Sequence, residues 1–131
     1  YVDALGEAGI RVSMFVEAEP AQLDAAASLG APVVELHVGA YCEAEGEAQK
    51  QEFARLATAA AHAEALGLEC HAGHGLTYDT VIPVAAIATI VELNIGHFLI
   101  GEAIFGGLDS AIRRMRALMD KARARDVGLG T

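Results

Sequence analysis

Four short apolar runs alternate with helix-like phrases along this chain, and within the runs polar groups fall at alternate positions. A strand sends successive side chains to opposite faces, so this pattern means one greasy face and one mixed face. In the run 32–38, Val34, Leu36 and Val38 share one face, opposite Val33, Glu35 and His37. In 10–17, Val12, Met14 and Val16 oppose Ser13, Phe15 and Glu17. In 91–96, Leu93 and Ile95 oppose Glu92, Asn94 and Gly96, and the remaining run is 68–72. Strands that alternate with helices imply a parallel sheet with right-handed crossovers. A doubly wound sheet covers both faces with helices and has little use for a polar one. A (β/α)8 barrel turns that face inward and places its site at the C-terminal strand ends. The expected fold is therefore α/β, a TIM barrel of which this chain carries four βα units.

The intervening helices are expected at about 20–29, 46–66, 79–88 and 108–124. Proline stands in the first turn of the first, and Gly30 and Gly67 stop the first and second. The second has an apolar stripe of Phe53, Leu56, Ala57, Ala60 and Ala63, opposite Gln51, Arg55, Thr58 and His62. The last has Leu108, Ala111, Ile112, Met115, Leu118 and Met119. No low-complexity linker divides the chain, so residues 1–131 are expected to be one body. The segment from Gly96 to Ala103 (Gly-His-Phe-Leu-Ile-Gly-Glu-Ala) resembles the phosphate-binding turn and short extra helix after a barrel's last strand. The four units are thus expected to be the last four, the C-terminal half of the barrel. Tyr1 already lies inside a helix-like phrase (Val2, Leu5, Ala8), and an N-terminal half is expected to precede it.

Composition narrows the function. A net charge of -9 argues against nucleic acid, whose phosphates call for basic patches. No apolar segment has the length to span a membrane, and no signal peptide is visible, so a cytoplasmic location is expected. Two cysteines, Cys42 and Cys70, are too few for a disulfide framework.

The candidate chemistry sits at two strand ends. Leu68-Glu69-Cys70-His71-Ala72-Gly73-His74-Gly75-Leu76-Thr77 breaks from a strand into glycines around a histidine, and Glu92-Leu93-Asn94-Ile95-Gly96-His97 repeats the arrangement. Glycine lets a ligand approach the backbone, and imidazole moves protons near neutral pH. Glycine amides at a helix start bind phosphate without basic side chains, so the acidic charge is no obstacle.

These phrases resemble the pyridoxine 5′-phosphate synthase family of vitamin B6 biosynthesis. The matching segments are Gly9-Ile10-Arg11-Val12-Ser13-Met14-Phe15-Val16, Gly30-Ala31-Pro32-Val33-Val34-Glu35-Leu36-His37, Ala72-Gly73-His74-Gly75-Leu76-Thr77-Tyr78 and Glu92-Leu93-Asn94-Ile95-Gly96-His97. The resemblance runs from the first helix to about Ala124, and the last two motifs in that order make it specific. It implies a (β/α)8 barrel that condenses 3-amino-2-oxopropyl phosphate with 1-deoxy-D-xylulose 5-phosphate, giving pyridoxine 5′-phosphate, inorganic phosphate and water. It further implies that His74 donates a proton and Glu35 stabilises the transition state. Gly75, Gly96 and His97 match positions that hold the aminoketone phosphate. The family's other catalytic histidine and glutamate, with its substrate-binding arginines and asparagine, belong to earlier strands. Condensation with dehydration calls for no nicotinamide, flavin or metal, and no motif for one is present.

The residues alone also admit plainer readings. His74 could cap a loop, and Glu35 could be a structural carboxylate paired to a barrel lysine or arginine. His37 and Asn94 are expected to support the site, His37 by lining the pocket or bonding Glu35. His62 is expected to face solvent. Cys70, His71 and His74 lack the paired spacing of a metal site, and strand alternation turns Cys70 away from His71. The cysteines read as packing residues. Arg113, Arg114, Arg116, Lys121, Arg123 and Arg125 form the solvated side of the last helix, or pair with a neighbouring subunit. The enzyme rival is another phosphate-binding barrel. An aldolase usually needs a Schiff-base lysine at a strand end, and the only lysines are Lys50 and Lys121. The non-enzyme rival is a half barrel that binds phosphorylated metabolites or pairs with a second half. Its free sheet edges lead to an expectation of homo-oligomers.

Overall fold

The computed structural model describes residues 1–126, with side chains through residue 124. The order is α1 (Val2–Glu7), β1 (Ser13–Val16), α2 (Pro20–Ser28), β2 (Val33–His37), α3 (Gly39–Glu43), α4 (Gly46–Ala65), β3 (Glu69–Gly73), α5 (Val81–Ala85), β4 (Ile90–Asn94), α6 (His97–Gly106) and α7 (Leu108–Asp126). Strands β1 to β4 lie side by side in chain order and all run parallel. This is an arc of four βα units of a (β/α)8 barrel.

Helices cover only the greasy face. Leu23 of α2 and Leu56, Ala60 and Ala63 of α4 pack against Val34, Leu36, Cys70 and Ile90 of the sheet, all fully buried. Burying a leucine such as Leu36 or Leu56 stabilises the fold by roughly 1.5–3 kcal/mol. A second cluster joins Tyr78, Val81 and Ala85 to Met115 and Ala122 of α7. The sequence-expected stripe of α7 is corrected there: Ala122 belongs to it, whereas Leu108 and Ile112 are exposed. In α4 the fully buried residues include Ala59, which the periodic reading passed over.

Among the described residues the mixed face is open at Phe15, which is 57% exposed, and closed at Val33 and His71, which are buried. Strands are shorter than the apolar runs suggested, because Ile10 stands outside β1 and is exposed. The start of β4 also differs. A register shift between Cys70 and His71 pairs Cys70 with Ile90 but His71 with Glu92. The extra residue, Val91, is left unpaired and 63% exposed. Such a bulge resets parity, so Ile90 enters the helix-side core while Glu92 and Asn94 keep the mixed face. Arg123 of α7 caps this point by donating to the Ile90 carbonyl.

Low on the mixed face, His71 is buried between two carboxylates, with Nε2 2.8 Å from Glu69 Oε1 and Nδ1 3.3 Å from Glu92 Oε1. Arg11 Nη2 reaches the other oxygen of Glu69 at 2.7 Å. Hydrogen bonds from Arg11 and then His71 hold the Glu69 carboxyl below its ordinary value. A depressed folded-state pKa stabilises above the unfolded value, ~4.3, and that contribution is lost as pH falls through the depressed one. Acidification below that point is therefore expected to lower the urea midpoint less in Glu69→Gln than in wild type. Equal acid sensitivity would count against this coupling.

Candidate active site

Every strand ends at the same rim. There β2 delivers Glu35 and His37, β3 delivers Gly73 and then His74-Gly75, and β4 delivers Asn94 and then Gly96-His97. Between them lies an open cavity of about 800 Å³, lined by Glu35, His74, Gly75, Asn94, Gly96 and His97, with Phe15 forming part of its wall. Asn94, expected as a supporting residue, stands in the wall itself.

The carboxylate of Glu35 is held by an amide rather than by a cation. Asn94 Nδ2 donates to Glu35 Oε2 at 2.9 Å across the end of β3. The side chain passes directly over Gly73. A Cβ at that position would clash with Glu35 Oε1 and lie 3.0 Å from the Asn94 carbonyl oxygen. Among the described residues the partner of Glu35 is thus Asn94, and not the lysine or arginine of the structural reading. The Glu35 carboxylate lies on the cavity wall with a polar neighbour, and no salt bridge to it occurs among the described residues.

His74 has φ +72°, a left-handed conformation unusual for a residue with a Cβ. Gly75 follows with φ +94°, and these two residues turn the chain sharply off β3. Such outliers persist where the surroundings over-determine them. The His74 imidazole is exposed and hydrogen-bonds to none of the described residues. Its neighbours are rings: that of His37 at 4.8 Å between centroids and that of Phe15 at 6.3 Å.

His37 does not bond Glu35, contrary to one sequence expectation. Its Nδ1 lies 2.8 Å from Glu17 Oε1, at the end of β1. The partner comes from the adjacent strand, while Glu35 is taken by Asn94. Glu17 in turn faces Arg55 of α4, with Nη2 3.8 Å from Oε2. Arg55 also donates to the Ala18 carbonyl and pairs with Glu19 and Glu52. Burial opposes its charge, but these carboxylates outweigh burial and hold its pKa above the ordinary value.

At the fourth rim position Gly96 caps α6, whose first turn carries no acidic side chain. The leading amides of a helix have no intrahelical partner and carry partial positive charge. A Cβ at Gly96 would meet nothing within 4 Å, because the position looks into open space.

Other sequence expectations resolve locally. Cys70 lies in the helix-side core and burial pushes its thiol up to about 11. Burial likewise raises Cys42, so neither suits a nucleophile. His62 lies at the surface as expected and there pairs with the exposed Asp24 of α2 at 2.7 Å. On α7, Arg113 and Arg116 pair with Asp109 and Asp120, while Arg114 lies 4.0 Å from the Tyr78 ring centroid. The Arg125 side chain lies outside the described residues. The sequence reading placed Gly73 at the rim but missed that Glu35 crosses it, and missed Gly39 and Glu17 as parts of the rim. A Cβ at Gly39 would lie 2.8 Å from His37 Nε2.

Comparison with known proteins decides the family. A family model described as pyridoxal phosphate biosynthesis protein PdxJ matches residues 1–121. The chain belongs to this PdxJ family. Its relatives include the pyridoxine 5′-phosphate synthase of Rhodospirillum rubrum, 70% identical over 122 residues, which are 92% of this chain and 49% of that protein. The synthase of Roseobacter denitrificans is 59% identical over 95% of this chain and 51% of its own length. That of Zymomonas mobilis is 58% identical over 91% of this chain and 46% of its own. This PdxJ-family chain therefore spans about half the length of the curated relatives it matches. Among its described residues no helix is long and apolar enough to cross a membrane.

Proposed function

We propose that this chain supplies one wall of a pyridoxine 5′-phosphate synthase site, condensing 3-amino-2-oxopropyl phosphate with 1-deoxy-D-xylulose 5-phosphate. The observation that carries the reading is the convergence of the His74 imidazole and the Glu35 carboxylate on one cavity that ends at the open start of α6. Ring closure proceeds through imine formation and dehydrations, and each needs a proton placed on a departing oxygen. His74, exposed and without a hydrogen-bonded partner among the described residues, is free to give one. Glu35, fixed by Asn94, stabilises the cationic character that develops as oxygen leaves. The phosphate of the aminoketone lies against the Gly75, Gly96 and His97 backbone, where helix amides replace basic side chains.

In this reading the chain is the C-terminal half of a cytoplasmic barrel enzyme that needs no cofactor, and the half-length match to full synthases is in keeping with a half barrel. Strands β1 and β4 each leave an edge unpaired among the described residues. Further strands would close the wall, and homo-oligomers are expected because exposed edges seek partners. The test is product formation by the natural protein purified whole, supplied with both phosphorylated substrates. Pyridoxine 5′-phosphate and stoichiometric phosphate are expected. Tight phosphate binding without product would instead favour a binding module.

Placement of the phosphate has its own check. Gly96→Val puts a branched side chain at the start of α6, where a Cβ meets nothing within 4 Å. The KM for the aminoketone phosphate is expected to rise at least tenfold with the fold intact. Unchanged KM would remove Gly96 from the phosphate site.

A further inference from the structure

We infer that Glu17, anchored by Arg55, is a positioning residue for His74 and acts through His37. The inference rests on the reading of His74 as the proton donor. The reacting imidazole hydrogen-bonds to none of the described residues; it stands on a strained backbone, beside Gly39 and against the rings of His37 and Phe15. Of those contacts the ring of His37, at 4.8 Å, is the nearer. Among the described residues His37 hydrogen-bonds at one nitrogen, to Glu17 at 2.8 Å. An ionised carboxylate accepts and cannot donate, so the bond places the hydrogen of a neutral His37 on Nδ1 and leaves Nε2 facing Gly39 and His74. Gly39 leaves room for that ring position, since any Cβ there would press on Nε2.

Arg55 of α4 brackets the β1 end, with Nη2 3.8 Å from Glu17 Oε2 and with Nη1 on Glu19 and the Ala18 carbonyl, while Glu52 holds the guanidinium from its own helix. A helix on the outer face of the sheet thus reaches the rim and sets, through two side chains, the attitude of a third. Phe15 closes the other flank, edge-on to His37 at 5.2 Å. Glu17 and Arg55 do not line the cavity themselves. Their effect falls on how well His74 is aimed rather than on whether substrate binds. A misplacement of about 1 Å at a reacting group costs on the order of 100-fold in rate.

The test compares Glu17→Ala and Glu17→Gln in the whole protein by kinetics and by long-range 1H–15N spectra of histidine-labelled samples. Glu17→Ala is expected to lower kcat by about ten- to 100-fold with KM within about twofold, the split a misaimed proton donor produces. Its spectra are expected to show His37 losing its fixed Nδ1–H form and the His74 ring signals shifting. Glutamine keeps an acceptor oxygen for His37 Nδ1, so Glu17→Gln is expected to restore both readouts to near wild type. Unchanged His74 signals in Glu17→Ala overturn the inference, as does an unchanged kcat. A glutamine variant as impaired as alanine also overturns it, by showing that charge rather than placement matters. A wild type that makes no product refutes the proposed reaction instead, and the spectra, which need no substrate, still decide the positioning role.

Discussion

His74→Gly is expected to yield a protein more stable than His74→Ala yet equally slowed in turnover. At most positions the order is the reverse, because glycine loses more backbone freedom on folding than alanine does. Residue 74 sits at φ +72°, where a Cβ crowds the following carbonyl. That crowding costs roughly 1–2 kcal/mol for a residue other than glycine. Both variants remove the imidazole and its contacts with His37 and Phe15, so the difference between them isolates the backbone. After the unfolded-state entropy is subtracted, glycine is expected to lead alanine by about 1 kcal/mol in urea unfolding. Turnover of both is expected to fall by roughly 100- to 10,000-fold, the usual contribution of a positioned proton donor. Alanine equal to or above glycine in stability would show that position 74 is not strained. Turnover near wild type in either variant would remove His74 from the chemistry.

The second large effect is expected at a residue with no functional group. Gly73→Ala places a methyl in the path of Glu35 Oε1, so the carboxylate must swing off β3 and release Asn94. The far end of a glutamate moves cheaply, and the fold is expected to survive. The tighter approach to the Asn94 carbonyl, at 3.0 Å, adds strain of about 1–3 kcal/mol typical of overpacking. If Glu35 stabilises developing positive charge, kcat is expected to drop on the order of 100-fold, as when a preorganised electrostatic partner is lost. The decisive form is a double-mutant cycle with Glu35→Ala. A methyl that acts by evicting the carboxylate has nothing further to evict, so the double variant is expected to be no slower than Glu35→Ala alone. Additive losses would mean that Gly73 acts on something other than Glu35.

Glu35 and Gly73 also show where periodic reading of a chain stops. Alternation along 32–38 is a property of consecutive residues, and it places Glu35 on the polar face before any fold is known. What Glu35 touches there depends on the register of three strands, with Asn94 lying 59 positions away. Glu17 is similar: its face is legible from parity, whereas its bond to His37 needs β1 aligned so that Phe15 pairs with Glu35. The β4 bulge is a stronger case. One unpaired residue, Val91, reverses which side Ile90 faces, and no local pattern announces it.

Read by itself, the sequence determined the four strand–helix units, the greasy and mixed faces, the Gly-His ends and, through its motifs, the family. These depend on short-range periods, on turn residues and on the identity of contiguous segments. Only the tertiary structure decided that Glu35 crosses Gly73 to Asn94, that His37 answers to Glu17 and Arg55, and that His74 is strained. Those arrangements arise when separate strands settle into register at one rim, where each pairing is chosen by the space and charge that its neighbours leave.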